Sequence, residues 1–285
     1  MTLIAADAMI LKHVLNLSLG LLLTGTGAAA MAAPPAAPVR IVPHRAVYQM
    51  NLAQNRQASQ VVNAEGTMTF SWGDACDGWT NEQKLQMKYY YAQGQMLEST
   101  ISNASWEAKD GSRYDFTARN TSSTSGSELF RGAATLDQHG GRVSYNMPKD
   151  RQMVLKAGTM FPNRHTAAII YHAQRGDKMP NTVVFDGGDE DGQSEISIFI
   201  GNPSGPDLAQ WADPALQRNS MLQGPSWPVR MAFYPLKDND AGTPDYEMTM
   251  DLLPNGIARS VLVDYGDFSV RGVLTAIETL PGSGC

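Results

Sequence analysis

Cysteine, clustered positive charge and long apolar runs are all scarce in this sequence. It has two cysteines among 285 residues, so at most one intramolecular disulfide is available. The formal net charge is −6 and no run of Lys or Arg occurs, which argues against a nucleic-acid partner because such partners require a basic surface. Hydrophobic residues nevertheless make up 42% of the chain, which is enough for a sizeable core and too much for general disorder.

The short motifs of several enzyme classes are also missing. Neither the G-x-S-x-G of serine hydrolases nor the G-x-x-x-x-G-K-[ST] of phosphate-binding loops occurs, and the mature chain has no dinucleotide-binding fingerprint. His165 and His172 are seven residues apart, which separates them by about 10 Å along a helix, too far to share one metal ion. We therefore predict no enzyme activity, and we assign no catalytic, cofactor-binding or metal-binding residue.

The N-terminus has the pattern of a secretory signal peptide. A Lys-His pair at 12–13 precedes a short apolar run at 14–23, and Ala30-Met31-Ala32 fits an A-x-A cleavage site. We expect a signal peptide over residues 1–32 that is cleaved near Ala32. No later apolar run approaches the roughly 18 residues of a membrane span, so we expect an exported protein without a transmembrane segment after cleavage.

The segments on either side of the cleavage site complete the predicted organisation. Asp7 does not suit a basic leader, so Met9 competes with Met1 as the true start. Residues 33–42 are a Pro/Ala-rich leader that we expect to run extended over the surface. No repeat or linker interrupts the rest, so residues 43–285 are expected to form one domain.

The two cysteines, Cys76 and Cys285, both lie in the mature part of the chain. An even pair of cysteines in an exported protein predicts one disulfide. A bond that closes so long a loop contributes up to about 5 kcal/mol on chain-entropy grounds. Two free thiols are the alternative.

Short stretches of alternating apolar and polar residues occur along the whole chain, separated by turn residues. Near the C-terminus Tyr246, Met248, Met250 and Leu252 alternate with polar neighbours. The Asn255-Gly256 pair that follows is a strong hairpin signal. Many short strands at near-regular spacing predict an all-β sandwich or barrel.

Two segments depart from this pattern. Residues 161–176 predict a helix of about three turns, because Pro162 suits the first turn and Gly176 suits the end. Residues 201–225 are rich in Pro, Gly, Asn and Asp, and this composition predicts a surface insertion.

Three features have both a functional and a structural interpretation. His165 near the helix start is a candidate ligand-binding residue, but a hydrogen-bonded structural histidine explains it as simply. The acidic run at 186–192 offers the oxygen ligands that calcium prefers, although the EF-hand order is not met and a solvated hairpin tip explains it equally well. Several aromatic side chains, with the many methionines, are candidates to line an apolar cavity or to form an ordinary core: Tyr89, Tyr90, Tyr91, Trp106, Trp227, Phe233 and Tyr234.

A series of short motifs extends in order from the start of the mature domain to its last residue. They are Pro43-His44-Arg45-Ala46-Val47-Tyr48, Cys76-Asp77-Gly78, Phe161-Pro162, His165-Thr166, Val184-Phe185-Asp186-Gly187, Asn255-Gly256, Asp264-Tyr265-Gly266-Asp267-Phe268 and Cys285. Together they make the chain resemble the EipB-type cell-envelope integrity proteins of Gram-negative bacteria. The resemblance covers about residues 43–285, and residues 201–225 are the stretch that matches least.

The resemblance implies a fold and a bond. The fold is a large, open, spiral-like β-barrel of many antiparallel strands around a short helix at about 161–176. The bond is a disulfide between Cys76 and Cys285, in agreement with the compartment argument. The family supplies no established catalytic residue, so none is transferred to this chain.

Within the matching motifs, the residues that we expect to have structural or binding roles are His165, Thr166, Asp264 and Tyr265. The resemblance implies a non-enzymatic role in the periplasm, where the protein maintains the cell envelope by binding another envelope protein. A tetratricopeptide-repeat periplasmic protein is the partner that related systems imply.

Two other functions remain open. The implied fold is similar to that of LolA-type lipoprotein carriers, so the alternative function is to carry lipid or lipoprotein acyl chains in the barrel. A hydrolase acting on envelope material is the third hypothesis, and it requires polar groups with shifted pKa values in one pocket.

Overall fold

The computed structural model describes residues 39–57, 59–189, 192–236 and 243–285. Most of these residues lie in fourteen β-strands. The strands are β1 His44–Asn55, β2 Val61–Ala75, β3 Gly78–Tyr91, β4 Met96–Ala108, β5 Arg113–Ser122, β6 Gly126–Asp137, β7 Gly140–Met147, β8 Gln152–Leu155, β9 Thr182–Phe185, β10 Gln193–Ile200, β11 Trp227–Pro235, β12 Tyr246–Leu252, β13 Ala258–Asp264 and β14 Phe268–Thr279. The helices are α1 Pro162–Arg175 and α2 Pro214–Gln217, with 3-10 turns at Leu208–Gln210 and Ser220–Leu222.

All of these strands belong to one antiparallel sheet. Its order is β8-β7-β6-β5-β4-β3-β2-β1-β14-β13-β12-β11-β10-β9. The first strand pairs with the last one, with Met50 opposite Gly272 in the register. A side chain on Gly272 would place its Cβ 2.7 Å from the Met50 sulfur, so a larger residue there would displace the Met50 side chain. The two halves of the chain therefore meet along β1 and β14.

The sheet curls into a barrel whose two edges, β8 and β9, do not form a ladder with each other among the described residues. The end of β9 instead packs against the face of β5. The Phe185 and Phe116 ring centroids are 5.4 Å apart, and the Tyr114 hydroxyl donates to the Asp186 carbonyl at 3.1 Å. Met160 adds an isolated parallel bridge to β9. This arrangement confirms the prediction of a large, open, spiral-like barrel.

The alternating pattern seen in the sequence corresponds to an inner and an outer face. In β1, Ala46, Tyr48 and Met50 are buried, while Arg45 and Gln49 are exposed. The predicted hairpin after β12 is also present, since Gly256 has φ 87° and the chain returns as β13. Asn255 stabilises this turn by accepting a hydrogen bond from the Ile257 backbone N–H at 3.2 Å.

Helix α1 forms within the predicted range 161–176. It packs on the inner side of the sheet, as the family resemblance implies. Its Ile169, Ile170 and Ala173 are buried in one cluster with side chains of β9, β10, β11 and β12. Gly176 ends the helix in the left-handed conformation with φ 68°. The helix therefore shares the barrel interior with the strands.

The prediction of a surface insertion at 201–225 is wrong in one respect. Three apolar side chains of this segment, Trp211, Leu216 and Leu222, are buried in the cluster that β1, β13 and β14 form. Arg259 of β13, itself fully buried, donates to the carbonyl oxygens of Leu222 at 3.0 Å and of Gly224. The Pro- and Gly-rich composition hid these contacts because the buried residues follow no helical or strand period.

The disulfide is formed as predicted. Cys76 and Cys285 are bonded, with their Cα atoms 5.8 Å apart. β2 and β14 flank β1 and both run antiparallel to it, so the C-terminal ends of β2 and β14 lie at the same end of the sheet. The bond therefore fastens the last residue of the chain across the end of β1.

The predictions for the N-terminus concern residues outside the described part of the chain. The signal peptide over 1–32 and most of the leader at 33–42 lie outside the described residues, and both stay predictions. The described residues, from 39 onward, group as one compact unit. Among the described residues, no helix combines the length and the apolar character that crossing a membrane demands.

Candidate functional site

A cavity of about 280 Å³ lies inside the barrel, between α1 and the inner faces of the strands around it. Its volume is close to the lower end of the range of about 300–1,000 Å³ that is typical of small-molecule sites. Most of the wall is apolar and comes from β2, β11 and β12, with Met68, Phe70, Met231, Phe233, Met248 and Met250. Unbranched methionine side chains adapt to ligands of varied shape.

The sequence identified only part of this wall. Phe233 and the methionines line the cavity, but Trp227 is buried in the cluster around α1 and Tyr89 packs near β1 and β14. Trp106 instead lies near the guanidinium of Arg113, 5.9 Å from the ring centroid. Alternation alone could not separate cavity residues from core residues, because both face inward.

His165 projects from the first turn of α1 into the cavity wall and is only 5% exposed. Burial lowers the pKa of His165 to about 4, so the imidazole is neutral near pH 7. Its Nε2 atom has no hydrogen-bond partner among the described residues. Buried polar atoms are nearly always paired, so an unpartnered nitrogen that protein encloses is an unusual feature of this wall.

Glu107 of β4 holds the start of α1 in place. Its two carboxylate oxygens accept hydrogen bonds from the backbone N–H groups of Asn163 at 2.7 Å and Arg164 at 2.8 Å. These are donors that a helix start leaves without an intrahelical partner. Glu107 is 1% exposed, and burial raises its pKa to about 7 although the two hydrogen bonds oppose the rise. The carboxylate therefore fixes the position of His165 through the helix.

Asp186 is the acidic residue of the wall. Water can reach its side chain, yet protein surrounds it, and this burial raises the pKa of Asp186 to about 6. Its Oδ1 atom accepts from the Gly188 backbone N–H at 2.9 Å. Near pH 7 the cavity thus contains a carboxylate that is mostly ionised.

Two more polar groups border the cavity. The His44 Nδ1 atom lies 2.7 Å from the Val42 carbonyl oxygen, which can only accept, so Nδ1 carries the proton and Nε2 is the free acceptor. Burial lowers the pKa of His44, which keeps the ring neutral. Trp72 is buried, and its indole N–H has no partner among the described residues.

The four candidate residues do not form one site. Thr166 borders the cavity beside His165, and its hydroxyl donates to the Pro162 carbonyl at 3.0 Å. Asp264 and Tyr265 lie outside the cavity, at the turn between β13 and β14. Asp264 forms a two-pronged ion pair with Arg56 at 2.9 and 2.8 Å, and the Tyr265 ring stacks on Phe268 at 5.0 Å. Their contacts are those of a structural turn.

No local pattern in the sequence indicates Glu107 and Trp72 as parts of this region. The carboxylate and its helix are 56 residues apart in the chain, and only the curl of the sheet brings them together. Asp186 was considered in the acidic run at 186–192, but as a calcium ligand and not as a cavity residue. Among the described residues, no group of three or more His, Cys, Asp or Glu side chains is arranged to hold a metal ion.

Comparison with known proteins identifies relatives of this chain. Residues 35–281 match the family described as EipB-like. The chain is 30% identical over 250 residues to the cell envelope integrity protein EipB of Brucella abortus, a match that covers 87% of both chains.

The fold also has a solved counterpart. The crystal structure of a β-barrel-like protein of the domain of unknown function DUF1849, from Brucella abortus, superposes with a TM-score of 0.76 at 26% identity. The match covers 85% of this chain and all of that one. The family match covers residues 35–281, sequence and fold agree over most of the chain, and the chain belongs to the EipB-like family.

Proposed function

We propose that this protein helps to maintain the cell envelope from the periplasm, and that it acts by binding and not by catalysis. Three observations support this. A relative that matches over most of its length is named a cell envelope integrity protein. The N-terminal sequence has the pattern of an export signal. The disulfide between Cys76 and Cys285 fits an oxidising compartment.

The barrel interior supports a more specific role, which is to hold an apolar molecule such as a lipid or a lipoprotein acyl chain. The cavity of about 280 Å³ carries this proposal, because its wall is largely methionine, aromatic and aliphatic side chains. Met248, Met250 and Phe233 remain half-buried although they point inward, since they face space that the protein does not fill. An apolar ligand would cover them.

The test is to purify the protein from the periplasm, extract it with organic solvent and identify the extracted molecules by mass spectrometry. Ala258 borders the cavity, so Ala258→Phe should fill part of it and reduce the extracted ligand several-fold. Ala276→Phe places the same bulk at an exposed position on β14 and should leave the ligand unchanged. Equal ligand content in both variants, or none in the folded wild-type protein, would contradict the proposal.

The envelope role has its own test. Deletion of the gene in the host cell should increase sensitivity to detergents that attack the envelope, and the wild-type gene should restore resistance. Ala258→Phe should restore less than Ala276→Phe does if the cavity serves that role. Full rescue by a variant that binds no ligand would separate envelope maintenance from the cavity.

A protein partner is the second candidate activity, and a tetratricopeptide-repeat periplasmic protein is the partner class that the family resemblance implies. Two large apolar side chains on the outside favour such a contact, since Phe199 of β10 is 69% exposed and Val154 of the edge strand β8 is 74% exposed. A pull-down from periplasm should recover a partner with wild-type protein, and less of it with Phe199→Ser. Recovery of no specific protein by the wild-type bait would argue against a partner.

A further inference from the structure

The polar groups in the cavity wall define what the polar end of a bound apolar molecule can be. Two buried atoms of the wall, His165 Nε2 and Trp72 Nε1, have no hydrogen-bond partner among the described residues. The other hydroxyl groups of the wall already donate to backbone, since Tyr48 donates to the Ala258 carbonyl at 2.7 Å and Thr166 to the Pro162 carbonyl. Protein encloses these two nitrogen atoms, so the polar side chains that a bound molecule would meet are those of Asp186, His44 and Gln83.

Charge in the wall is of one sign. Asp186 contributes a carboxylate, and the two histidines, His44 and His165, are neutral near pH 7. No Lys or Arg side chain occurs among the described residues that line the cavity. A carboxylate or phosphate would thus enter an apolar space without a cation and beside a negative charge, which is unfavourable because neither hydration nor pairing compensates it.

We infer that the cavity binds an apolar molecule whose polar end donates a hydrogen bond and carries no negative charge, such as a long-chain alcohol or amine, and that Asp186 excludes anionic head groups. The ligand class rests on the proposed apolar-binding function and narrows it. A hydroxyl can donate to Asp186 or to the free Nε2 atom of His44, and an ammonium can pair with Asp186. An ionised fatty acid or phospholipid phosphate has no proton to donate and is repelled by Asp186.

The experiment uses displacement of the neutral dye Nile red by decanol, decylamine and decanoate, below their micelle concentrations and at a pH near 8 where Asp186 is ionised. A carboxylate enters any apolar site less readily than a hydroxyl does, so the wild-type ranking alone decides nothing. The decisive quantity is the change that Asp186→Asn produces. We expect decanoate affinity to rise and decylamine affinity to fall, each by about tenfold, which is the effect of about 1.4 kcal/mol, while decanol changes little.

Asp267→Asn removes an exposed carboxylate from the outer turn between β13 and β14 and serves as the matched control. It should leave all three affinities within about twofold, far below the tenfold step. Thermal melting verifies that each variant is folded. If Asp186→Asn does not fold, Asp186→Ser replaces it, because a serine hydroxyl can also accept from the Gly188 N–H.

The outcomes separate the two proposals. If no amphiphile displaces the dye, or if the dye does not bind, the apolar-binding function itself fails. If the amphiphiles bind but decanoate and decylamine respond equally to Asp186→Asn, the apolar function stands and the head-group inference is overturned. Opposite shifts of the two charged ligands, with decanol unchanged, support both.

Discussion

Removal of the Cys76–Cys285 bond by Cys285→Ser should lower the free energy of unfolding by several kcal/mol. The bond joins residues 209 positions apart. In the chain-entropy treatment a loop of this length contributes about 5 kcal/mol, because the cross-link restricts the unfolded chain. Residual structure in the unfolded protein reduces this figure, so we expect a loss of about 3–5 kcal/mol. In a protein of this size each kcal/mol shifts the melting temperature by about 2–4 °C, which gives a decrease of about 6–20 °C.

Urea denaturation and calorimetry of the mature protein provide the assay. The urea dependence of stability, the m value, should increase in Cys285→Ser, since an unfolded chain without the cross-link exposes more surface. Ser283 is the matched control for the tail. Its hydroxyl donates to Asp74 at 2.9 Å in an exposed position, so Ser283→Ala should cost less than about 0.5 kcal/mol.

The expected loss of stability arises in the unfolded chain and not in contacts of the C-terminal tail. A loss below about 1 kcal/mol with an unchanged m value would refute it, because the cross-link would then not restrict the unfolded ensemble. A loss of equal size in Ser283→Ala would refute it in another way, since the tail contacts and not the covalent bond would be responsible. The double variant Cys76→Ser with Cys285→Ser excludes an effect of the remaining free thiol.

Two further predictions concern buried charges. The pKa of Glu107 is raised from 4.5 to about 7, so between these pH values the folded protein holds a proton that the unfolded chain has lost. The contribution of Glu107 to stability therefore decreases by about 3 kcal/mol as pH rises through this window. In urea denaturation the stability of Glu107→Gln relative to wild type should increase from pH 5 to pH 8, and a pH-independent difference would contradict this. Arg259→Met leaves the Leu222 and Gly224 carbonyls without their donor and should lower the free energy of unfolding by about 3–5 kcal/mol. Arg230→Met removes an exposed ion pair and should lower it by less than about 1 kcal/mol. Similar losses in the two variants would contradict the importance of the buried hydrogen bonds.

The features that could be predicted from sequence are those that local patterns encode. Alternation in β1 and β12 assigns strands, Asn255-Gly256 assigns a hairpin, and Pro162 with Gly176 brackets helix α1. These signals depend only on near neighbours in the chain. Alternation alone left a sandwich and a barrel both open, and the family resemblance was needed to choose the spiral-like barrel.

The candidate site was much harder to predict, because it depends on which inward faces meet. His165 was identified, but its unpartnered Nε2 atom and its neutral state follow from burial that no local pattern reveals. Glu107 appears in sequence as one more polar residue in a strand, and its role depends on a helix that lies 56 residues away. Trp211 is buried although its segment has the composition of a surface loop.

The seam between β8 and β9 has a consequence for the capacity of the barrel. In a fully closed barrel, strand number and stagger fix the diameter, and any expansion must break a complete hydrogen-bond ladder. Here the two margins overlap through the Phe116 and Phe185 rings, and the Met160 bridge contributes two backbone hydrogen bonds, 2.9 and 3.0 Å long. The circumference of the barrel is therefore set by how far one edge of the sheet extends over the other. Widening the barrel would break side-chain contacts and the few hydrogen bonds across this seam, including the one from Tyr114 to the Asp186 carbonyl, while every ladder between neighbouring strands stays intact.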